Sequence, residues 1–212
     1  MKQKMALLLV LTMLVVTAAG CGNNSKKPAS TTDNTQNTTS NVATQPSETE
    51  TKPNQQTQSP LGILQAVWDK YDADDKFSAF GGDQENAVAD APGSIDITNE
   101  DTLLYTHLVP SERFGDIKAA ASLMHAMNAN IFSVVVFEMK DSAAAETFAS
   151  SMADALKDNR WVCGTPDAFF VAILEDRFVV SSYGQDPLDD FEETLREVYP
   201  NAKIAFGGKI GG

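Results

Sequence analysis

Read as a pattern of apolar and polar positions, the chain falls into three unlike stretches. Met5 to Ala19 (MALLLVLTMLVVTAA) is an apolar run of 15 residues without a charge. Gly22 to Pro60 is the reverse: 25 of its 39 residues are Ser, Thr, Asn or Gln, none is aromatic, and only Ala29, Val42 and Ala43 are weakly apolar. From Leu61 onward the pattern breaks into short periodic blocks of the kind that build a folded domain.

The first block predicts a helix from Leu61 to about Tyr71, with Ser59 as its cap, Pro60 in its first turn and Leu64, Val67, Trp68 and Tyr71 along one stripe. Ser94 to Thr98 predicts a short strand, and Asn99 to Leu108 a short helix capped by Thr98 or Asn99. Ala119 to Met127 and Ile131 to Lys140, joined by Asn128-Ala129-Asn130, predict a hairpin, although AAASLMHAM also suits a helix. Ala145, Phe148, Met152, Ala155 and Leu156 recur at helical spacing, predicting a helix from Asp141 or Ser142 to about Asp158. Ala168 to Leu174 and Arg177 to Tyr183, separated by Glu175-Asp176, predict a second hairpin. A third helix follows, capped by Asp186, opened by Pro187, turning Leu188, Phe191, Leu195 and Val198 inward and stopped by Pro200. Ala202 to Phe206 predicts a last strand, and Gly207 to Gly212 is expected to fray.

From Ile131 the order is β-α-β-β-α-β, the split order of a ferredoxin-like sandwich. With Ala119 to Met127 included, it reads equally as a duplicated β-β-α unit. Both readings predict an α+β, two-layer sandwich, with a mostly antiparallel sheet and helices on one face.

Composition changes this picture mainly through charge. The 212 residues carry a formal net charge of -13. Residues 61–212 hold 11 basic and 26 acidic side chains, a net of -15, so all of the acidity lies in the domain. That is the wrong sign for gripping phosphate backbones, and nucleic acid is not expected as a partner.

The start of the chain reads as an address. Lys2 and Lys4 precede the apolar run, which is shorter than the roughly 20 residues needed to cross a bilayer and is closed by small residues. Residues 1–20 are expected to be a signal peptide. Ala18-Ala19-Gly20-Cys21 resembles the lipobox of bacterial lipoproteins, in which the cysteine is acylated and becomes the mature N-terminus. The resemblance implies lipidation of Cys21, a lipid-anchored linker over 21–60 and a single domain over 61–212 at the outer, extracytoplasmic face of the cell membrane. The linker lacks the apolar surface to offset the entropy of ordering and is expected to be disordered.

The domain itself carries a further resemblance. SLMHAMNANIFSVVVFEMKD, NRWVCGTPD and FVAILEDRFVVSSYG, with AVWDKYDADDKFSAFGGD and APGSIDIT before them, resemble an uncharacterised domain-of-unknown-function family in lipoproteins of low-GC Gram-positive, clostridial-type bacteria. That resemblance implies an extracytoplasmic lipoprotein and supplies no activity.

Candidate chemistry is sparse. Cys163 is the one thiol left in the domain once Cys21 is acylated. A reactive cysteine needs a cation, an imidazole or a helix N-terminus, whereas Asp154, Asp158 and Asp167 surround a single Arg160 here. Trp161, Cys163 and Asp167 could together form a ligand rim. His125 and Met127 would share a strand face as a thioether and imidazole pair suited to Cu(I), against the ordinary reading of both as core or core-edge residues. Asp69, Asp72, Asp74 and Asp75 crowd the C-terminal end of the first helix, where the helix dipole disfavours them. Of these Asp72, Asp74 and Asp75, with Asp83 or Glu85, are candidates for a hard cation, but Lys76 and Phe77 stand where a calcium loop needs an oxygen and a glycine. With two histidines and no HExxH, GxSxG, Walker or GxGxxG pattern, no catalytic site, cofactor or metal is assigned. The expected role is a non-catalytic binding or accessory module, with an envelope protein or small ligand as partner. The alternative is a thiol-dependent redox or acyl-transfer enzyme using Cys163.

Overall fold

The computed structural model describes residues 58–127, 130–162 and 164–211. Cys21, the expected signal peptide 1–20, almost all of the expected linker 21–60 and Cys163 lie outside the described residues.

Helix α1 (Pro60–Lys70) starts where its cap predicts, the Ser59 hydroxyl accepting from the Gly62 N–H at 3.1 Å. Three short strands follow, β1 (Ala79–Gly81), β2 (Val88–Ala89) and β3 (Gly93–Ile95). The first two are too short to leave an alternation in the sequence. The short helix expected over Asn99–Leu108 is present as a helical segment that takes π form over Thr102–Thr106, with the Asn99 side chain capping it by accepting from the Thr102 N–H at 3.0 Å. A 3-10 turn at Ser111–Asp116 leads into β4 (Ile117–His125), which pairs with β5 (Phe132–Met139). AAASLMHAM is therefore strand, because its partner β5 is buried at every position and needs a neighbour on each side.

Asp141 caps a short 3-10 turn that runs into α2 (Ala145–Asp158). Strands β6 (Ala168–Leu174) and β7 (Phe178–Gly184) form the second hairpin, and α3 (Pro187–Val198) precedes β8 (Lys203–Lys209). Asp186 stands at the start of α3 without capping it: its backbone is already helical, so its side chain is not folded back onto the first turn. The tail expected to fray instead continues β8 through Gly207, Gly208 and Lys209, and the Ile210 N–H donates to the Asp167 carbonyl at 2.9 Å.

All pairings are antiparallel, in the order β2-β1-β4-β5-β7-β6-β8, with β3 also paired to β4. The α+β class and the antiparallel sheet stand as expected. The placement of the helices does not: they cover both faces. Val135, Phe137, Val171, Ile173 and Val179 pack with Phe148, Met152 and Leu156 of α2 on one side. Val134, Val136, Phe170, Ala172 and Val180 pack with Leu64 and Val67 of α1 and Phe191 and Leu195 of α3 on the other.

The reason lies in β4. A ferredoxin-like return would set the last strand beside β5, but β4 already occupies that side, so β8 pairs with the far edge at β6. The crossovers β5-α2-β6 and β7-α3-β8 then step the same way across the sheet from strands of opposite direction. With the right-handed sense such crossovers take, their helices must lie on opposite faces.

Of the two carboxylates buried among the described residues, Asp83 and Glu138, the second lies in the sheet. Glu138 on β5 is 6% exposed and is held by Lys118 Nζ at 2.9 Å and Arg177 Nη1 at 3.4 Å. The register shifts between Ile117 and Ala119, at Lys118, the residue that meets the buried carboxylate.

Candidate functional site

Helix α2 ends at Asp158, and Asn159–Val162 follow it. Met124, Ser133 and Tyr183 are register partners on three adjacent strands. The segment Asn159–Val162 and Gly164 form one wall of a cleft of about 250 Å³ above that row. Trp161 packs on Tyr183, with ring centroids 4.8 Å apart and a 56° tilt. Its Nε1 is buried and has no partner among the described residues. Gly164 has φ +131°, and a Cβ there would come within 2.7 Å of Ile131 Cδ1. Glycine is what lets this wall close against the start of β5.

Burial raises the Tyr183 phenol above its ordinary pKa, with the Ser133 side chain acting in the opposite sense. At the mouth, Val162 is 85% and Met127 55% exposed. Arg160 is exposed, makes no ion pair among the described residues, and is the one formal charge in the cleft lining.

Of the expected rim of Trp161, Cys163 and Asp167, the two described residues line different openings. Trp161 lines this cleft and also rests on the α2-side core, so it serves as both rim and packing residue. Asp167 lines a different opening, of about 580 Å³, with Gln185, Asp186, Asp189 and Lys209. Cys163 is outside the described residues.

The acidic candidates are dispersed. Asp72, Asp74 and Asp75 are exposed, and among the described residues no group of three His, Cys, Asp or Glu side chains is placed to hold a metal ion. Asp72 and Asp75 face Asp190, Glu193 and Glu197 of α3 across a groove of about 430 Å³, where Lys70 pairs with Glu197 at 2.7 Å. Burial pushes the Tyr71 phenol beside it up to about 12. Asp69 accepts from the Gln65 amide at 2.8 Å, and Lys76 sits 5.1 Å from the centre of the Trp68 ring.

Asp83 has a different task. Its carboxylate accepts from the N–H groups of Glu85, Asn86 and Asp96 and from the Asn86 amide, at 3.1, 2.9, 2.6 and 3.0 Å, clasping the loop before β3. Burial disfavours its charge, but those bonds outweigh it and hold the carboxyl below its ordinary range.

The His125 and Met127 pair is likewise absorbed locally. The Met127 N–H donates to His125 Nδ1 at 3.0 Å, and the ring stacks on Phe77 with centroids 5.0 Å apart. One imidazole nitrogen is thereby occupied.

The residue that sequence reasoning passed over is His107. It is 3% exposed, neither ring nitrogen has a partner among the described residues, and burial pushes it down to about 4 despite the nearby negative charge of Asp83. The only signal in the sequence is its place in an apolar stretch, Leu103 to Val109, which does not distinguish a buried imidazole from an exposed one.

Compared with family models, curated proteins and solved structures, the chain matches none.

Proposed function

We propose that this protein is a membrane-anchored, non-catalytic binding module, tethered at the outer face of a membrane by an acylated Cys21 through the polar linker 21–60. The observation that carries the reading is the run from Lys2 to Cys21, with its positive start, short apolar stretch and small residues before the cysteine, followed at once by polar sequence. Two acyl chains supply the two-signal anchoring that a single chain does not, at about 0.8 kcal/mol for each buried methylene. The net charge of -15 on residues 61–212 supports the same reading, since anionic headgroups repel such a body and hold it at the length of its linker. No described helix is long and apolar enough to cross a membrane. The partner is a small ligand or an envelope protein met on that side.

Metabolic labelling with palmitate tests the anchor. The protein is expected to take up label, and Cys21→Ala to lose it and move to the soluble fraction; unlabelled protein that retains residues 1–20 overturns the reading. The competing idea, a thiol-dependent enzyme using Cys163, requires rapid alkylation of the native protein at neutral pH, and a thiol that reacts only on unfolding rules it out.

A further inference from the structure

We propose that the cleft walled by Arg160, Trp161 and Tyr183 is a ligand site for a small carboxylate with an apolar body; this deepens, and rests on, the reading of the domain as a binding module. Size sets the first bound. About 250 Å³ lies below the ~300–1,000 Å³ of pockets for drug-sized ligands. The occupant is therefore a compact molecule.

Polarity sets the second. Met124, Ile131, Trp161 and Tyr183 give the lining an apolar part beside the polar His125, Asn130, Ser133 and Asn159, and Val162 and Met127 leave large apolar side chains in water. Covering such surface gains about 25 cal/mol per Å², so a ligand body with an apolar face fits it.

Charge sets the third. The domain carries 26 acidic side chains and a net of -15, yet none of those acids lines this cleft. Among the described lining residues the single formal charge is that of Arg160, an exposed residue that makes no ion pair among the described residues. An anion is repelled by most of this surface and finds here a planar donor that matches a carboxylate through two parallel hydrogen bonds. An amine finds no acid in the lining to pair with. The groove between α1 and α3, of opposite character, gives the same anion nothing.

The test uses the full chain carrying Cys21→Ala, which has no acyl group, titrated with 3-phenylpropionate, 3-phenylpropanamide and 3-phenylpropylamine by calorimetry and by tryptophan emission. The acid is expected to bind saturably and at least tenfold more tightly than the amide or the amine. Arg160→Gln, a change at an exposed position, is expected to abolish that preference while leaving weak binding of all three. Equal binding of acid and amide, an unchanged preference in Arg160→Gln, or no binding of any of the three overturns the proposal. None of those results touches the palmitate experiment, and loss of palmitate uptake leaves these titrations standing, so the two readings fail separately.

Discussion

His107 shows how one side chain couples this fold to pH. Its imidazole is buried, neither nitrogen has a partner among the described residues, and the cost of charging it there pushes its pKa down to about 4, against about 6.5 for a free histidine. Between those values the unfolded chain binds a proton that the native protein refuses, so native stability falls as pH drops from about 6.5 toward about 4. The acidic group facing it, Asp83, opposes this by favouring the imidazolium, but burial dominates. Asp83 has the depressed carboxyl, and its contribution is present above the unfolded value near 3.9 and is lost only below it, so the two titrations are separable. Urea unfolding at pH 7 and pH 4.5 should show a loss of about 2–3 kcal/mol, and His107→Leu should remove most of that difference. An equal loss in the variant would sink the assignment. The strain around the residue fits its burial: Leu108, directly after it, has φ +57°, an unusual conformation for a bulky side chain.

At the scale of elements, the second hairpin is where sequence and structure agree most closely, because two apolar runs with a two-residue gap admit few alternatives. In the structure the loop is Glu175–Arg177, and its first two residues have positive φ, 48° and 54°, the geometry of a turn that prefers Asn-Gly. Replacing the pair by Glu175→Asn with Asp176→Gly should stabilise the domain by about 1 kcal/mol, read as a higher urea midpoint with an unchanged slope. A midpoint that falls would mean that the carboxylates stabilise the turn in some other way. The same logic explains the misreadings. Asp186-Pro187 has the composition of a cap and a first turn, but the helical backbone at Asp186 removes the capping bond. Gly207 and Gly208 read as a frayed tail, yet β6 offers them a ladder, and glycine pays only a modest entropy cost to join it. Strands β1 and β2, of three and two residues, carry no period to detect.

For the whole molecule, the excess of 15 negative charges in residues 61–212 makes the native state repel itself. Raising NaCl from about 20 to about 300 mM shortens the screening length from roughly 20 Å to below about 6 Å and should raise the Tm by a few degrees; a fall would show that surface ion pairs such as Lys70–Glu197 and Lys203–Glu146 outweigh the repulsion. The ion pairs are half-exposed and individually weak, so the general repulsion should win. Sequence alone determined the charge on residues 61–212, the α+β class and most helix and hairpin positions, because periodicity, capping and turn chemistry act within a few residues. Only the tertiary structure decided the rest: that β4 blocks one side of β5 and sends β8 to the far edge, that the helices consequently cover both faces, that Asp167 and Trp161 look into different openings, and that His107 is sealed from water. Those outcomes depend on which distant strands pair and on what then lies overhead, and no local pattern of residues encodes a neighbour fifty positions away.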